Sequence, residues 1–370
     1  MAKYKLLACG SNGSYQLGTG NDTDQNTLVE CVFVLDGVQT SILPIKPSKI
    51  SCGGNHTLVL LQNGDVYSCG ENVYGQCGHD PSDSIPFFTK IDGSDWVNIA
   101  CGWENSTLIN RKGEIFVCGL GNKGELGLGK ALRRSKLTKL SFSIPTDEDL
   151  AKVEVKSSLN HTVIKLENSW IGWGNSRKGQ LGTTEVVNGK PEGVIWKPRR
   201  LEFGEIAKDA SYFDVGREFT AIGSKNSIQT FGKLQVETPL DSGTEILVQI
   251  RTMWSSVHLL VKASESGQLV VRSYGNNSHG QLYPVNSDIS IEAFTVGSEH
   301  GLILGNDNKV YSWGWGEHGN CGVQKKQEAE DVTFDYLNVV YNNTARIRSI
   351  WGGCATSWLV VETVGCTTET

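Results

Sequence analysis

Short apolar stretches separated by glycine-containing turns recur along the whole chain. Residues 58–61 and 302–304 are two of these stretches, and the first is followed by the turn Asn63-Gly64-Asp65. Short apolar runs joined by such turns are typical of β-hairpins. The pattern therefore predicts an all-β chain that is built from successive hairpins.

Two sequence segments alternate along the chain with a period of about 51 residues. The first has an aromatic residue or Cys before Gly, and then a loop that ends in Gly-Gln-Leu-Gly or a variant. The second is Gly-Gly-Asn-His-Thr or a variant. Copies of the first begin at Cys9, Cys69, Cys118, Trp173, Phe231 (where the loop is missing), Tyr274 and Trp313, and copies of the second at Cys52, Cys101, Ser157, Val215, Trp254, Val296 and Trp351. Seven copies of each predict seven small sheets, which form a β-propeller when they are arranged radially.

The order of the segments also predicts how the ring closes. The chain begins with a lone strand of the first kind at residues 6–10 and ends with a lone segment of the second kind at residues 351–362. Together they complete one blade, so the ring has no open edge. We predict a single seven-bladed β-propeller domain over residues 1–370, in which residues 1–18 pair with residues 346–362.

The paired Gly-Gly-Asn-His-Thr and Trp-Gly-x-x-x-x-Gly-Gln-Leu-Gly signatures resemble the regulator-of-chromosome-condensation repeat over essentially the whole chain. Within that family, the strings at residues 253–258, 297–301, 313–322 and 352–358 resemble the fungal alpha-tubulin suppressor group, also called killer-toxin-insensitivity proteins. The resemblance implies a non-enzymatic propeller in a heterodimer with a very small four-Cys, metal-binding protein of the diphthamide pathway. It also implies a role in diphthamide synthesis on elongation factor 2 and in Elongator-dependent modification of wobble uridines in tRNA. Elongator is then a further candidate partner.

Composition and charge narrow the class of protein. Charged residues make up 20% of the chain, which excludes a disordered polyelectrolyte, and the formal net charge of −6 argues against a surface built for nucleic acid. No apolar run approaches the ~18 residues of a membrane span, and the N-terminus lacks the hydrophobic region of a signal peptide. We expect an intracellular, cytoplasmic protein that binds neither DNA nor membranes, and leave a nuclear pool open.

Ten cysteines raise the question of a metal site. No Cys-x-x-Cys pair occurs, and most of the cysteines share repeat positions with Trp, Leu or Val, where a thiol acts as a small hydrophobe. Cys31, Cys354 and Cys366 are the exceptions. Phosphate-binding and dinucleotide-binding loops are also missing from the pattern. We therefore expect no catalytic residue, no cofactor and no metal in this chain.

The histidines fall into two groups. His56, His161, His258 and His300 share one repeat position, which we interpret as an imidazole hydrogen-bonded inside each blade rather than as a ligand or an acid–base group. His279 and His318 lie at a loop position that varies from blade to blade, so we expect them to face solvent.

Tryptophans and acidic turn residues complete the candidate partner-binding set. Trp315 is a second Trp directly outside the aromatic position of its repeat, and it is either an interface anchor or a cover for the neighbouring blade. Trp103 replaces the second Gly of its segment. Trp254 aligns with Val296 and Trp351, so a role in the core is at least as well supported for Trp254 as a role in binding. The full candidate set is Trp103, Trp254, His258, His279, Glu299, His300, Trp315, Glu317, His318 and Cys354.

The alternative function is guanine-nucleotide exchange on a small nuclear GTPase, the activity that names the wider family. Chromatin-bound members resemble one another in a basic N-terminal tail and a projecting hairpin. This chain starts directly in a strand and has a pI near 5.7, so we favour the scaffold. Insertions at residues 19–49 and 183–210 are either ordered covers or mobile loops. The five positive charges of residues 130–139 favour a solvated loop over a contact with RNA or an acidic partner.

Overall fold

The computed structural model describes residues 2–93, 95–146, 148–184, 186–187, 189–225, 227–240, 243–284, 289–324 and 332–363. Over these residues the chain forms 31 strands and one 3₁₀ turn at Glu205–Ala207. Seven sheets form the blades of a β-propeller, so the predicted all-β, seven-bladed fold is confirmed.

Each blade runs from an inner strand beside the central channel to an outer strand at the rim. Blade 1 combines both ends of the chain: Ile347–Gly352, Thr356–Thr363, Lys3–Gly10 and Gln25–Glu30. Blade 2 comprises Pro47–Cys52, His56–Leu61, Val66–Glu71 and Ser84–Lys90, blade 3 Trp96–Cys101, Asn105–Asn110, Glu114–Leu120 and Arg134–Ser143, and blade 4 Glu154–Ser158, His161–Lys165, Trp170–Asn175 and Val194–Arg200. Blade 5 comprises Tyr212–Val215, Phe219–Gly223, Ser227–Gly232 and Glu237–Pro239, blade 6 Glu245–Thr252, Ser256–Ala263 and Leu269–Gly275, and blade 7 Ile291–Val296, His300–Gly305, Val310–Trp315 and Thr333–Tyr341.

Closure of the ring by the two chain ends is confirmed. Lys3–Gly10 lies antiparallel to Thr356–Thr363, in register from Lys3 opposite Thr363 to Gly10 opposite Thr356. Leu6 and Trp358, one from each end of the chain, are fully buried in the same apolar cluster. The first and last strands of the chain thus share one sheet and one core.

The second strand of a blade explains the apolar runs in the sequence. All six residues are buried in His56–Leu61 and in His300–Gly305, because a neighbouring blade covers each face of the sheet. A strand that is buried on both faces reads as a continuous apolar run rather than as an alternation.

The Gly-Gln-Leu-Gly loop of every blade except blade 5 bonds to the next blade. In blade 2, the Gln76 side-chain oxygen accepts the backbone N–H of Tyr74 at 2.9 Å, which fixes the loop. The Gln76 carbonyl then accepts the hydroxyl of Ser106 in blade 3 at 2.8 Å. The equivalent carbonyl bonds are Gln16 with Thr57, Glu125 with Trp173, Gln180 with Thr220, Gln281 with Trp313, and Asn320 with Ser357. The repeated loop is therefore a repeated joint between blades.

The two insertions contribute ordered strands where they are described. Residues 19–49 supply the outer strand of blade 1 and the hairpin Phe33–Leu35 with Val38–Thr40, which joins blade 2 where Phe33 bridges Phe88. The two rings stack at 4.6 Å and are fully buried. Residues 183–210 supply the outer strand of blade 4.

The five cations of the basic run are exposed, as predicted for a solvated segment, but only residues 130–133 form a loop. Arg134–Ser143 is the outer strand of blade 3. Its cations contact this chain: Arg134 lies 5.4 Å from the centre of the Tyr74 ring, and Lys136 pairs with Asp80 at 2.5 Å. These contacts hold the strand against the loop of the neighbouring blade 2.

The cysteines follow the predicted positions with two differences. Cys31 is fully buried although the repeat did not account for it, and Cys52, which was expected in the core, is half-buried at the channel wall. Cys366 lies outside the described residues.

Candidate functional site

Two kinds of connection share one face of the ring, which we call the upper face. His56, the first residue of its strand, pairs with Gly70 near the end of the next strand. The turn between the inner and second strands (the inner turn) and the loop between the third and outer strands (the outer loop) therefore lie at the same end of each blade. Inner turns carry Trp103, Trp254, Glu299 and Cys354, and outer loops or their first residues carry His279, Trp315, Glu317 and His318.

The strand register corrects two of the repeat alignments. Ser256 pairs with Gly275 as His56 pairs with Gly70, so Ser256 and not His258 occupies the histidine position of blade 6. Trp254 consequently lies in the inner turn at the position of Trp103, and its alignment with Val296 was wrong. In blade 1 Thr356 pairs with Gly10, a shift of one residue, which places Cys354 at that same turn position.

Seven residues, one from each inner turn, lie around the mouth of the channel. We call these residues the mouth ring: Gly54, Trp103, Leu159, Arg217, Trp254, Ser298 and Cys354. Backbone hydrogen bonds connect neighbouring turns, from Gly54 N to Trp103 O at 2.9 Å and from Trp254 N to Ser298 O at 2.8 Å. The inner turns of blades 2–4 and those of blades 5, 6, 7 and 1 are therefore linked into two hydrogen-bonded series rather than being independent.

Two tryptophans of the mouth ring meet across the channel. Trp103 comes from blade 3 and Trp254 from blade 6, yet their ring centres are 5.8 Å apart. Trp103 is 38% exposed, and the Arg217 guanidinium lies 5.6 Å from the centre of the Trp254 ring. A Cβ on Gly54 would come within 2.8 Å of the Trp103 indole, so glycine at this position makes room for that ring.

The repeated histidines lie beneath the mouth ring. His56 and His300 each place Nε2 within 2.9 Å of a serine hydroxyl of the next blade, Ser106 and Ser357 respectively. The prediction that these imidazoles are hydrogen-bonded inside their own blades was therefore wrong, because the bonds of His56 and His300 run between blades. Burial lowers the pKa of His56, His161 and His300 to about 4, so their imidazoles are neutral near pH 7.

His258 differs, because both of its partners belong to its own blade. It lies between the hydroxyls of Ser256 at 2.8 Å and Ser273 at 2.7 Å. Burial lowers its pKa to about 3. His258 and His300 are 0% exposed, so they support the upper face from below and do not form part of its surface.

Trp315 stacks on the loop of the neighbouring blade. Its indole lies almost parallel to the His279 imidazole, with ring centres 4.5 Å apart, which is the geometry of the covering role. The backbone N–H of Trp315 donates to the Glu299 carbonyl at 2.9 Å, whereas its buried Nε1 has no hydrogen-bond partner among the described residues. Both side chains are half-buried, so the stack is also part of the exposed surface.

The outer loop of blade 7 is held differently from the other loops. The residue whose carbonyl accepts a hydrogen bond from the next blade is Asn320 in this loop, whereas the five other described loops have Gln or Glu at that position. The Asn320 side-chain NH₂ donates to the Trp315 carbonyl at 2.8 Å, and its Oδ1 is buried without a partner in the described chain. Further along the loop, the His318 Nδ1 contacts Asp24 Oδ2 at 2.8 Å, and Glu317 is exposed.

Glu299 connects the tryptophan pair with the Trp315 stack. Ser255 donates to its carboxylate at 3.3 Å, and burial raises the pKa of the Glu299 carboxyl while His279 and Arg217 oppose that shift. We define the blade 6–7 patch as Trp254, His279, Glu299, Trp315, Glu317 and His318 with Arg217, Ser255 and Asp24. Sequence reasoning missed those last three; only Arg217 carried a signal, since it occupies the turn position of Trp103.

The repeat is recognised by comparison with known proteins. Two profiles described as "Regulator of chromosome condensation (RCC1) repeat" match residues 5–60 and 63–109, and residues 48–76 and 291–320. An RCC1 repeat-containing protein of Schizosaccharomyces pombe is 28% identical over 96% of this chain and 99% of its own length. This chain is similar to proteins that are built from the RCC1 repeat.

Other proteins that are similar to this chain carry names of exchange factors. The secretion-regulating guanine nucleotide exchange factor of Bos taurus is 26% identical over 86% of this chain, which spans 64% of that protein. The crystal structure of Prp20p from Saccharomyces cerevisiae, whose title reports binding to Gsp1p and histones, superimposes with a TM-score of 0.77 at 17% identity. That superposition covers 98% of this chain and 92% of Prp20p, and it shows a common fold.

Two features are absent from the described residues of this chain. No group of three or more His, Cys, Asp or Glu side chains there could hold a metal ion. None of the described helical structure is long and apolar enough to cross a membrane.

Proposed function

We propose that this propeller is a non-enzymatic interaction scaffold whose upper face docks a small four-Cys, metal-binding protein of the diphthamide pathway. The metal and its chemistry belong to the partner. Through the heterodimer the chain supports diphthamide synthesis on elongation factor 2 and Elongator-dependent modification of wobble uridines in tRNA, in the cytoplasm. The sequence strings that resemble the fungal alpha-tubulin suppressor group support this choice of partner.

One observation carries the choice of surface. The strings with that resemblance and the exposed aromatic and acidic candidates converge on the blade 6–7 patch, where Glu299 connects Trp254 with Trp315. Partly exposed tryptophans are frequent anchors of protein interfaces. The stack of Trp315 on His279 holds the indole in one orientation before binding, which lowers the entropic cost of using it as an anchor.

The test is the affinity of the purified small partner for the wild-type chain and for Trp315→Ala, measured by isothermal titration calorimetry. Removal of a central anchor costs about 2 kcal/mol or more, so we expect binding to weaken by about 30-fold. Trp196→Ala is the matched control, because Trp196 is also half-buried and packs against a polar side chain, Arg133, but lies in blade 4. Equal affinities for all three proteins would contradict the proposed surface.

Guanine-nucleotide exchange is the second candidate, and the name of the bovine relative and the fold of Prp20p favour it. Its test is the rate at which labelled GDP leaves a small nuclear GTPase in the presence of this chain. Acceleration of release together with no binding of the four-Cys partner would replace the scaffold by an exchange factor. Binding of the partner without any acceleration would support the scaffold.

A further inference from the structure

The central channel encloses a cavity that none of the preceding functions uses. It has a volume of about 540 Å³ and is lined by the inner strands of all seven blades. Side chains alternate along a strand, so one residue per blade points inward at each level. The level below the inner turns consists of Ser51, Ala100, Lys156, Asp214, Arg251, Thr295 and Trp351.

Positively charged side chains lie around the wall of this cavity. Lys156, Asp214 and Arg251 occupy the same level in the consecutive blades 4, 5 and 6, and Lys49 of blade 2 reaches in from the level below. The Lys156 Nζ lies 3.9 Å from Asp214 Oδ1, and the two side chains are only 21% and 13% exposed. Glu154, the other carboxylate of the lining, is exposed at the lower end. Three cations thus face one enclosed carboxylate, in a protein whose formal net charge is −6.

The enclosed carboxylate is already used by the backbone. Asp214 Oδ2 accepts the N–H of Thr252 at 3.0 Å, and Oδ1 accepts the N–H of Val215 at 3.1 Å. These two hydrogen bonds hold the Asp214 carboxylate against the channel wall. They leave fewer of its lone pairs free to accept hydrogen bonds from the cations. Asp214 therefore offsets only one of the three positive charges.

Lys49 is held in place but keeps a donor for a ligand. Lys49 Nζ donates to Asn98 Oδ1 at 2.6 Å and to the Val155 carbonyl at 3.2 Å, which leaves one of its three N–H groups. Burial and the charges of Lys156 and Arg251 lower the pKa of Lys49 to about 7. Cations that lower one another's pKa in a cavity are stabilised by an anion between them.

The shape of the cavity limits the size of that anion. On the upper face Trp103 and Trp254 meet across the mouth, whereas Ser48, Ala151 and Glu154 at the lower end are exposed. A ligand enters from the lower face and stops beneath the tryptophan pair. The volume is that of a small-molecule site.

We propose that the central channel binds a phosphate-class anion, either inorganic phosphate or the phosphate of a small organic molecule, between Lys49, Lys156 and Arg251. Cations that surround a cavity supply several charge-assisted hydrogen bonds to one phosphate group. The site lies beneath the mouth ring and is independent of the partner-binding proposal.

The experiment is a titration of the full chain with pyrophosphate, phosphate and ADP by isothermal titration calorimetry, in potassium chloride at constant ionic strength. We expect one pyrophosphate per chain, and at least tenfold weaker binding by Lys156→Met and by Arg251→Gln. Lys208→Met is the matched control, because Lys208 is an exposed lysine that is also paired with a carboxylate, Glu205, and its affinity should equal that of the wild type. Tighter binding of ADP than of pyrophosphate assigns the site to an organic phosphate, and the reverse order assigns it to the inorganic anion.

A variant with the opposite expected effect separates the proposal from misfolding. Asp214→Asn removes the competing negative charge and keeps an acceptor for one of the two backbone N–H groups, so pyrophosphate should bind more tightly. Absence of binding by the wild type, or unchanged affinity in both Lys156→Met and Arg251→Gln, would overturn the proposal.

Discussion

At the scale of single residues, the chain uses histidine as a neutral hydrogen-bonding group between blades. His56, His161 and His300 occupy the first position of the second strand, and each contacts a hydroxyl of the next blade. Gly53 and Gly297 precede His56 and His300 by three residues, and a Cβ at either would lie within 2.3 Å of the histidine ring. The Gly-x-x-His spacing of the repeat is therefore a packing requirement.

The buried histidines predict a loss of stability in mild acid. Their folded pKa of about 4 lies below the unfolded value of 6.5, so the unfolded chain binds more protons between these pH values. The free energy of unfolding must then fall as the pH drops from 6.5 toward 4, by about 1.4 kcal/mol per pH unit for each such proton. Urea unfolding at pH 7.0, 6.0 and 5.0 measures this slope.

Variants at the same repeat position isolate the contribution of one histidine. Blade 3 naturally has Asn105 where blade 4 has His161, as their pairing with Gly119 and Gly174 shows. His161→Asn should reduce the pH slope by one proton, and the reverse change Asn105→His should increase it. Identical slopes for wild type and both variants would show that these imidazoles do not set the acid sensitivity.

At the scale of strands and loops, the most regular feature of the repeat is the hydrogen bond that connects one blade to the next. The outer loops of the six blades other than blade 5 each present one carbonyl to the following blade, and the donor there is a Ser, Thr or Trp side chain. The joint between blades 7 and 1 closes the ring, because it connects the last complete blade with the strand that ends the described chain. Ser357 supplies the donor of that joint and is fully buried.

Loss of the closing joint should destabilise the whole propeller. Ser357→Ala removes the hydroxyl that donates to the Asn320 carbonyl at 2.7 Å and that also contacts His300 Nε2 at 2.9 Å. Buried groups left without partners cost about 1–3 kcal/mol, and we expect a decrease of about 2 kcal/mol in the free energy of unfolding. Urea denaturation measures it, with Ser278→Ala in an exposed loop as the control. Equal decreases in both variants would argue against a special role for the joint.

At the scale of the molecule, the ring could be predicted from the sequence because the repeat is regular. Seven alternating segments and the split blade specify the sheets, and the paired ends confirm the closure. The register of blades 1 and 6 could not be predicted. Ser256 and His258 lie two residues apart on the same side of one strand, so either fits the histidine position until the pairing with Gly275 decides.

The candidate surface depended on the same register. Trp254 was aligned with core residues and proves to lie in the mouth ring, whereas His258 and His300 were candidates and prove to be buried. Contacts between distant segments, such as His318 with Asp24 and Trp103 with Trp254, leave no spacing signal in a sequence. They arise only when the ring brings blades 7 and 1, or 3 and 6, together.

The central claim is that the small partner docks on the upper face over blades 6 and 7. Hydrogen–deuterium exchange of the chain with and without the purified partner tests it most directly, since exchange reports every backbone amide without substitution. We predict slower exchange on binding at residues 276–283 and 315–322, with no change in the equivalent loops at residues 120–127 and 175–182. Protection of those two control loops, or of the lower-face turns at residues 62–65 and 306–309, with no change over blades 6 and 7 would contradict the account.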